Sequence, residues 1–177
     1  MRCKTIQPAR AEDRPETRER CRPRAPGNGV HVVAGGAAVV FHGYMRFTKD
    51  LDLIVFLEEK NLERLFDALK KIGYQPKVPA TKEQFIDKRQ RNIWEKEKNM
   101  IVFSFCHQNP PFHLIDMFIG EPIPFKQVYK HRVNAKVEGM TIPLISIDHL
   151  RKLKQMAGRP QDLIDIVQLD HIKQKRS

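Results

Sequence analysis

From Val30 onward the apolar positions fall into short runs with two different periods, punctuated by glycine and proline. "VHVVA" (30–34) is an apolar run that ends at Gly35-Gly36, which predicts a strand entering a tight turn. "AAVVFHGY" (37–44) follows as a short buried helix stopping near Gly43, and "DLDLIVF" (50–56) as a strand. "NLERLFDALKKIGY" (61–74) sets Leu62, Leu65, Phe66 and Leu69 at helical spacing, with Gly73 as its stop. Residues 76–98 hold no sustained pattern and read as polar and irregular, with a helical turn around "EQFIDKRQ" (83–90). "MIVFSFC" (100–106) and "HLIDMFI" (113–119) are strands joined through "HQNPPF", and "NAKVEGMTIPLIS" (134–146) is a hairpin turning at Glu138-Gly139. Two helices follow, "IDHLRKLKQMAG" and "PQDLIDIVQLDHIKQK", broken at Gly158, with Pro160 a good first helical residue. This order implies an α+β fold, a mixed sheet carrying helices, with a small helical part from about residue 147.

Residues 1–28 differ in kind. They hold eight Arg/Lys, four Asp/Glu and four prolines, with Ile6 the only large aliphatic residue after Met1. Such a segment buries too little apolar surface to offset its ordering entropy, and we read it as a disordered basic extension ahead of a domain at 29–177. The whole chain of 177 residues carries 32 Lys+Arg against 21 Asp+Glu, a net +11, so its partners are expected among polyanions, nucleotides and acidic proteins. Cys3, Cys21 and Cys106 have neither metal-ligand spacing nor an even count, which fits a reducing cytoplasm. No apolar run approaches the roughly 18 residues of a membrane span, and no signal-peptide core is visible.

The chemistry concentrates in the acidic residues of the strands. Residues two apart in a strand share a face, roughly 7 Å apart, so Asp50 and Asp52 project together with Leu51, Leu53 and Val55 behind them. Two carboxylates at that distance repel by about 2 kcal/mol at an effective dielectric near 20. Either they form a solvated acidic pair or they hold a divalent metal together with substrate phosphates. Asp116 sits in mid-strand between apolar neighbours, where a carboxylate needs a cation or hydrogen-bond donors. It is either one half of a buried salt bridge or the third carboxylate of a metal site suited to phosphoryl displacement.

Gly35-Gly36 joins a strand to a helix, a place where backbone N–H groups can approach phosphate, though a double glycine is also an ordinary tight turn. Arg46 and Thr48 lie just ahead of Asp50, within reach of the same phosphates. Lys154 falls inside the apolar stripe of its helix, aimed at a triphosphate or snorkelling to the edge, while Lys152 points the other way. Asp162 lies in the first turn after Pro160, where it favours the helix dipole, and Asp165 lies one turn on, with a solvated surface position as its plain alternative. His31, His42 and His113 have no partner at ligand spacing and read as ordinary.

Gly35-Gly36, then Asp50-Leu51-Asp52-Leu53, then a later Asp116 amid apolar residues resemble the DNA polymerase-beta-type nucleotidyltransferases. "GGAAVVFHGYMRFTKDLDL" with "LKQMAGRPQDLIDIVQL" is similar to the small bacterial AbiEii-type proteins, toxins of type IV toxin–antitoxin systems, and their stand-alone relatives, over about residues 30–170. The resemblance implies that Asp50, Asp52 and Asp116 bind Mg²⁺ or Mn²⁺, with Asp116 a candidate base for an attacking hydroxyl. It implies further that Gly35, Gly36, Arg46, Thr48 and Lys154 contact a nucleoside triphosphate and that Asp162 shapes the site. The expected activity transfers a nucleoside monophosphate to a hydroxyl of tRNA, other RNA or a protein, with a cognate antitoxin as a further partner. Many members of that superfamily carry serine after the first glycine, where this chain has Gly36. They also usually begin with a helix before the first strand, where this chain has the Arg/Pro-rich segment. A catalytically idle nucleotide- or RNA-binding module of the same fold is the alternative, and a purely structural set of ion pairs a third.

Overall fold

The computed structural model describes residues 30–110 and 113–176, so the extension read at residues 1–28 lies outside the described residues. The run before Gly35 forms strand β1 (His31–Val33), and helix α1 (Gly35–His42) begins at the double glycine itself. Gly43 ends α1 in the left-handed conformation that favours glycine. Strand β2 (Asp50–Val55) and helix α2 (Glu59–Lys71) follow as the periodicity predicts, and α2 buries Leu62, Leu65, Phe66 and Leu69.

The chain between residues 76 and 98 is more ordered than its pattern suggests. Strand β3 (Tyr74–Pro76) leads to helices α3 (Lys82–Ile86) and α4 (Lys88–Lys98). Helix α4 buries only Arg91 and Trp94, so it carries no apolar stripe for periodicity to detect. Its signals are the caps. Thr81 and Gln84 form a capping box on α3, and the Asp87 side chain accepts from Arg89 N–H to start α4.

Strands β4 (Val102–His107) and β5 (Leu114–Phe118) come next, followed by a short helix α5 (Phe125–Lys130) that the sequence pattern does not suggest. At six residues α5 is too short for a repeat, and it is held by burying Phe125 and Val128. The hairpin β6 (Val133–Val137) and β7 (Met140–Leu144) turns at Glu138-Gly139, both with positive φ. Helices α6 (Ile147–Ala157) and α7 (Pro160–Arg176) then pack against each other and against α1.

Among the described residues seven strands form one sheet in the order β3-β4-β5-β2-β1-β7-β6. Pairs β2–β5 and β1–β7 are parallel and the other four antiparallel, a mixed sheet as expected. Alternation along β2, β4 and β5 separates two faces. Leu51, Leu53, Phe103, Phe105, Ile115 and Met117 lie on one, where Phe103 and Phe105 meet Phe66, Phe85 and Trp94 in an aromatic cluster. Asp50, Asp52, Ser104 and Asp116 lie on the other, so the apolar core anchors the strands from behind the acidic residues. Among the described residues no helix is long and apolar enough to cross a membrane.

Candidate functional site

Register brings the carboxylates together. Asp52 pairs with Asp116 across the parallel strands β2 and β5, and Asp50 precedes it on the same face. Neighbouring strands stand about 4.7–4.9 Å apart, so the Asp52 and Asp116 side chains rise side by side. Burial pushes the Asp52 carboxyl up to about 6, and the charges of Asp116 and then Asp50 push the same way. The Gly36 N–H, which hydrogen-bonds the carboxylate, and the positive charge of Lys154 act in the opposite sense and do not cancel the rise. Asp116 Oδ1 is buried without a hydrogen-bond partner among the described residues.

The double glycine completes one wall. Gly35 has φ +58°, and a Cβ there would land inside the Asp52 carboxylate, so only glycine lets α1 start this close to β2. A Cβ on Gly36 would collide with Thr48 Oγ1 and come within 2.9 Å of Arg46 Nη2. The Thr48 hydroxyl therefore occupies the space that a serine at Gly36 would need. That is the physical counterpart of the missing serine, since the hydroxyl beside this turn arrives from residue 48 instead.

The cations are engaged. Lys154 Nζ lies 2.7 Å from Asp162 Oδ1 and 2.7 Å from Asp165 Oδ2. Arg46 Nη2 donates to Asp165 Oδ2 at 2.9 Å, and Arg46 Nε sits 2.9 Å from Asp165 Oδ1 as an ion-pair contact that lacks hydrogen-bond geometry. Gln161 Nε2 donates to Asp165 Oδ1 at 3.1 Å. Asp165, for which the sequence left a surface position open, is fully buried and joins the segment before β2 to both C-terminal helices. Burial alone would raise its carboxyl, but hydrogen bonds from Lys154, Arg46 and Gln161 outweigh that and hold it below the usual range. The signal for Asp165 was its spacing, three residues after Asp162 and hence on one helical face with it.

All nine residues singled out from the sequence fall in this region: Asp50, Asp52 and Asp116 on the sheet, Gly35 and Gly36 at the turn, Arg46 and Thr48 against that turn, and Lys154 with Asp162 facing them. The donors suit a hard divalent cation: carboxylate oxygens, one of them buried and unpartnered, and a like-charge pair that lifts the Asp52 carboxyl. Among the described residues, however, no three His, Cys, Asp or Glu side chains converge into a ready ligand set. The two observations differ in what they measure. The charges of Asp116 and Asp50 both reach Asp52, and a cation that draws part of its coordination from phosphate needs no complete protein cage.

No family model matches the chain, and no curated protein matches it. Among solved structures it is similar to the lincosamide antibiotic adenylyltransferase LnuA, solved with lincomycin bound, at 18% identity, covering 81% of this chain and 87% of that one, with a TM-score of 0.51. A weaker likeness, TM-score 0.48 at 16% identity over 79% of this chain and 66% of the other, is to an antigenic nucleotidyltransferase-like protein from Paracoccidioides brasiliensis. The first likeness shows the fold: a mixed sheet with packed helices, arranged as in a nucleotidyltransferase.

Proposed function

We propose that the protein is a metal-dependent nucleotidyltransferase that moves a nucleoside monophosphate from a nucleoside triphosphate to a hydroxyl of an RNA or protein acceptor. The observation that carries this reading is Asp52 in register with Asp116 beside the Gly35-Gly36 turn. Asp50, Asp52 and Asp116 would hold Mg²⁺ or Mn²⁺, which when bound neutralises charge on the phosphates. The Thr48 hydroxyl lies against the turn, and Arg46 and Lys154 would serve as cations for the β- and γ-phosphates. Asp116, with an unpartnered oxygen, would take the proton from the acceptor hydroxyl. The acceptor oxygen then bonds to the α-phosphorus, the bond to the bridging oxygen breaks, and pyrophosphate leaves with that electron pair. Positioning and fixed charge supply most of the acceleration.

The AbiEii-type resemblance extends the proposal to a bacterial cytoplasmic toxin–antitoxin component. A second reading, an idle binding module of the same fold, is favoured by one feature: Arg46 and Lys154 are both already paired with carboxylates. The experiment that decides uses Mg²⁺ or Mn²⁺, each α-labelled nucleoside triphosphate in turn, and separate acceptor arms of total RNA, cell protein and lincomycin. An Asp50→Asn/Asp52→Asn variant runs alongside. Label transferred to RNA or cell protein only by the intact protein upholds the reading, and label on lincomycin alone overturns its acceptor class. Nucleotide bound without transfer in any arm favours the idle module.

A further inference from the structure

Both cations of the site reach one oxygen atom. Arg46 Nη2 donates to Asp165 Oδ2 at 2.9 Å, and Lys154 Nζ lies 2.7 Å from that same oxygen. Two like charges gathered round one point repel each other, and the carboxylate they share is what holds them there. Asp165 has no exposed surface, while the side chains of Lys154 and Arg46 keep 7% and 17% of theirs. The carboxylate therefore sits behind the cations, and an anion arriving from solvent meets the cations first. Neither cation is used up. Lys154 contacts two carboxylate oxygens, fewer than the three donors of an ammonium. Arg46 gives one N–H from Nη2 to Asp165 and one from Nη1 to the Phe47 carbonyl, so each of these nitrogens keeps a second.

The pair addresses one corner of the site. Arg46 Nη2 stands 2.9 Å from the point where a side chain on Gly36 would begin, at the wall of the double-glycine turn. The charge of Lys154 acts on Asp52, whose carboxylate lies against Gly35 on the other side of that turn. Arg46 meets Asp165 side-on, with Nη2 donating to Oδ2 and Nε in ion-pair contact with Oδ1, an approach that fixes the plane of the guanidinium. We propose that Asp165 is a positioning residue, which clamps Arg46 and Lys154 into one two-cation cradle beside the Gly35-Gly36 turn for the β- and γ-phosphates of a nucleoside triphosphate. This rests on the transfer reading for its ligand and adds the group that assembles the phosphate grip. Asp165 touches no phosphate itself and acts through the two cations in front of it.

Isothermal titration calorimetry on the full chain with Mg²⁺ measures the affinity of each nucleoside triphosphate, and of the monophosphate that carries the same base as the tightest one. Asp165→Asn keeps the shape and removes the charge. It should weaken triphosphate binding at least about tenfold and leave monophosphate binding within about twofold. Charge alone predicts the reverse, since removing a negative group beside two cations should tighten their hold on an anion. Unchanged or tighter triphosphate binding therefore overturns the proposal, and so does an equal loss for both nucleotides, which a merely structural role would give. In an Arg46→Ala background the same substitution should cost less affinity than in the intact protein, because part of its action passes through Arg46. An undiminished loss there overturns the proposal. If circular dichroism shows Asp165→Asn unfolded, Arg46→Lys carries the test, because lysine keeps the charge and loses the fixed plane. Its triphosphate affinity should then fall about as far as that of Arg46→Ala, and near wild-type affinity overturns the proposal. A wild type that binds no nucleoside triphosphate overturns this proposal together with the transfer reading. Binding without transfer of label removes the transfer reading alone and leaves the positioning role standing.

Discussion

Asp52 and Asp116 face each other across neighbouring parallel strands, and the charge of Asp116 adds to burial in making that of Asp52 costly. Raised above its unfolded value, the Asp52 carboxyl contributes stability that is complete below about pH 4 and lost as pH rises through about 6. In metal-free buffer at pH 7.5, Asp52→Asn should therefore be more stable than the wild type by on the order of 2 kcal/mol, and the gain should vanish by pH 4. Urea denaturation at both pH values checks this. Transfer activity should fall by about 100-fold or more in the same variant. Full activity in a stabilised variant would remove Asp52 from the chemistry.

Lys154 and Asp165 form the second relationship, buried on both sides. Truncating either strips one buried counter-ion from its partner, leaving Asp165 with Arg46 or Lys154 with Asp162, so Lys154→Ala and Asp165→Ala should each cost about 2–3 kcal/mol. Because the two losses share one cause, the double variant should cost less than their sum by about 1–3 kcal/mol. A double-mutant cycle from urea midpoints measures the coupling. Additive losses would mean that Lys154 is balanced by Asp162 alone.

The Gly36–Thr48 contact predicts a compensating pair. Gly36→Ser places a side chain where the Thr48 hydroxyl already sits, so alone it should destabilise by about 1–3 kcal/mol through overpacking. Adding Thr48→Ala vacates that space and should restore most of the stability while returning one hydroxyl to the turn. Thermal melts of the two single variants and the double decide it. Gly35→Ala should find no such rescue, since its strain comes from φ +58° as well as from the Asp52 carboxylate.

What the sequence discloses follows from where the local signal is strong. The α2 stripe, the Asp-x-Asp alternation in β2 and the Glu138-Gly139 turn are each decided within a few residues, and each is present in the structure. Helix α4 escaped because its single large apolar anchor, Trp94, sets no period, and α5 because six residues hold no repeat. Within the site, the strand aspartates were legible because a carboxylate amid apolar residues is conspicuous on its own. Asp165 was legible only in part: its spacing puts it on one face with Asp162, but packing against Arg46 and Lys154 is what buries it, and on the same helix the apolar Leu163, Ile164 and Val167 are exposed. The Thr48–Gly36 exchange of space is likewise a contact between segments, invisible to spacing.

His42 supplies a last test, away from the carboxylates. It is 2% exposed and its Nε2 lies 2.7 Å from the Ile145 carbonyl, tying the end of α1 to the start of the C-terminal helices. Burial lowers its pKa below 6.5, the Ile145 hydrogen bond opposes that, and the Arg176 charge lowers it further. The unfolded chain therefore binds this proton more readily than the folded one. Stability from His42 is complete above about pH 6.5 and is lost as pH falls through its lower folded value. Asp52 changes stability in the opposite direction over a neighbouring range, so the wild-type profile alone mixes the two. Comparison with His42→Gln, which keeps a donor for the Ile145 carbonyl but does not titrate, isolates the histidine. The wild type should lose stability relative to this variant between pH 7.5 and 5. Parallel pH profiles for the two proteins would mean that the imidazole charges in place without disturbing the α1 anchor.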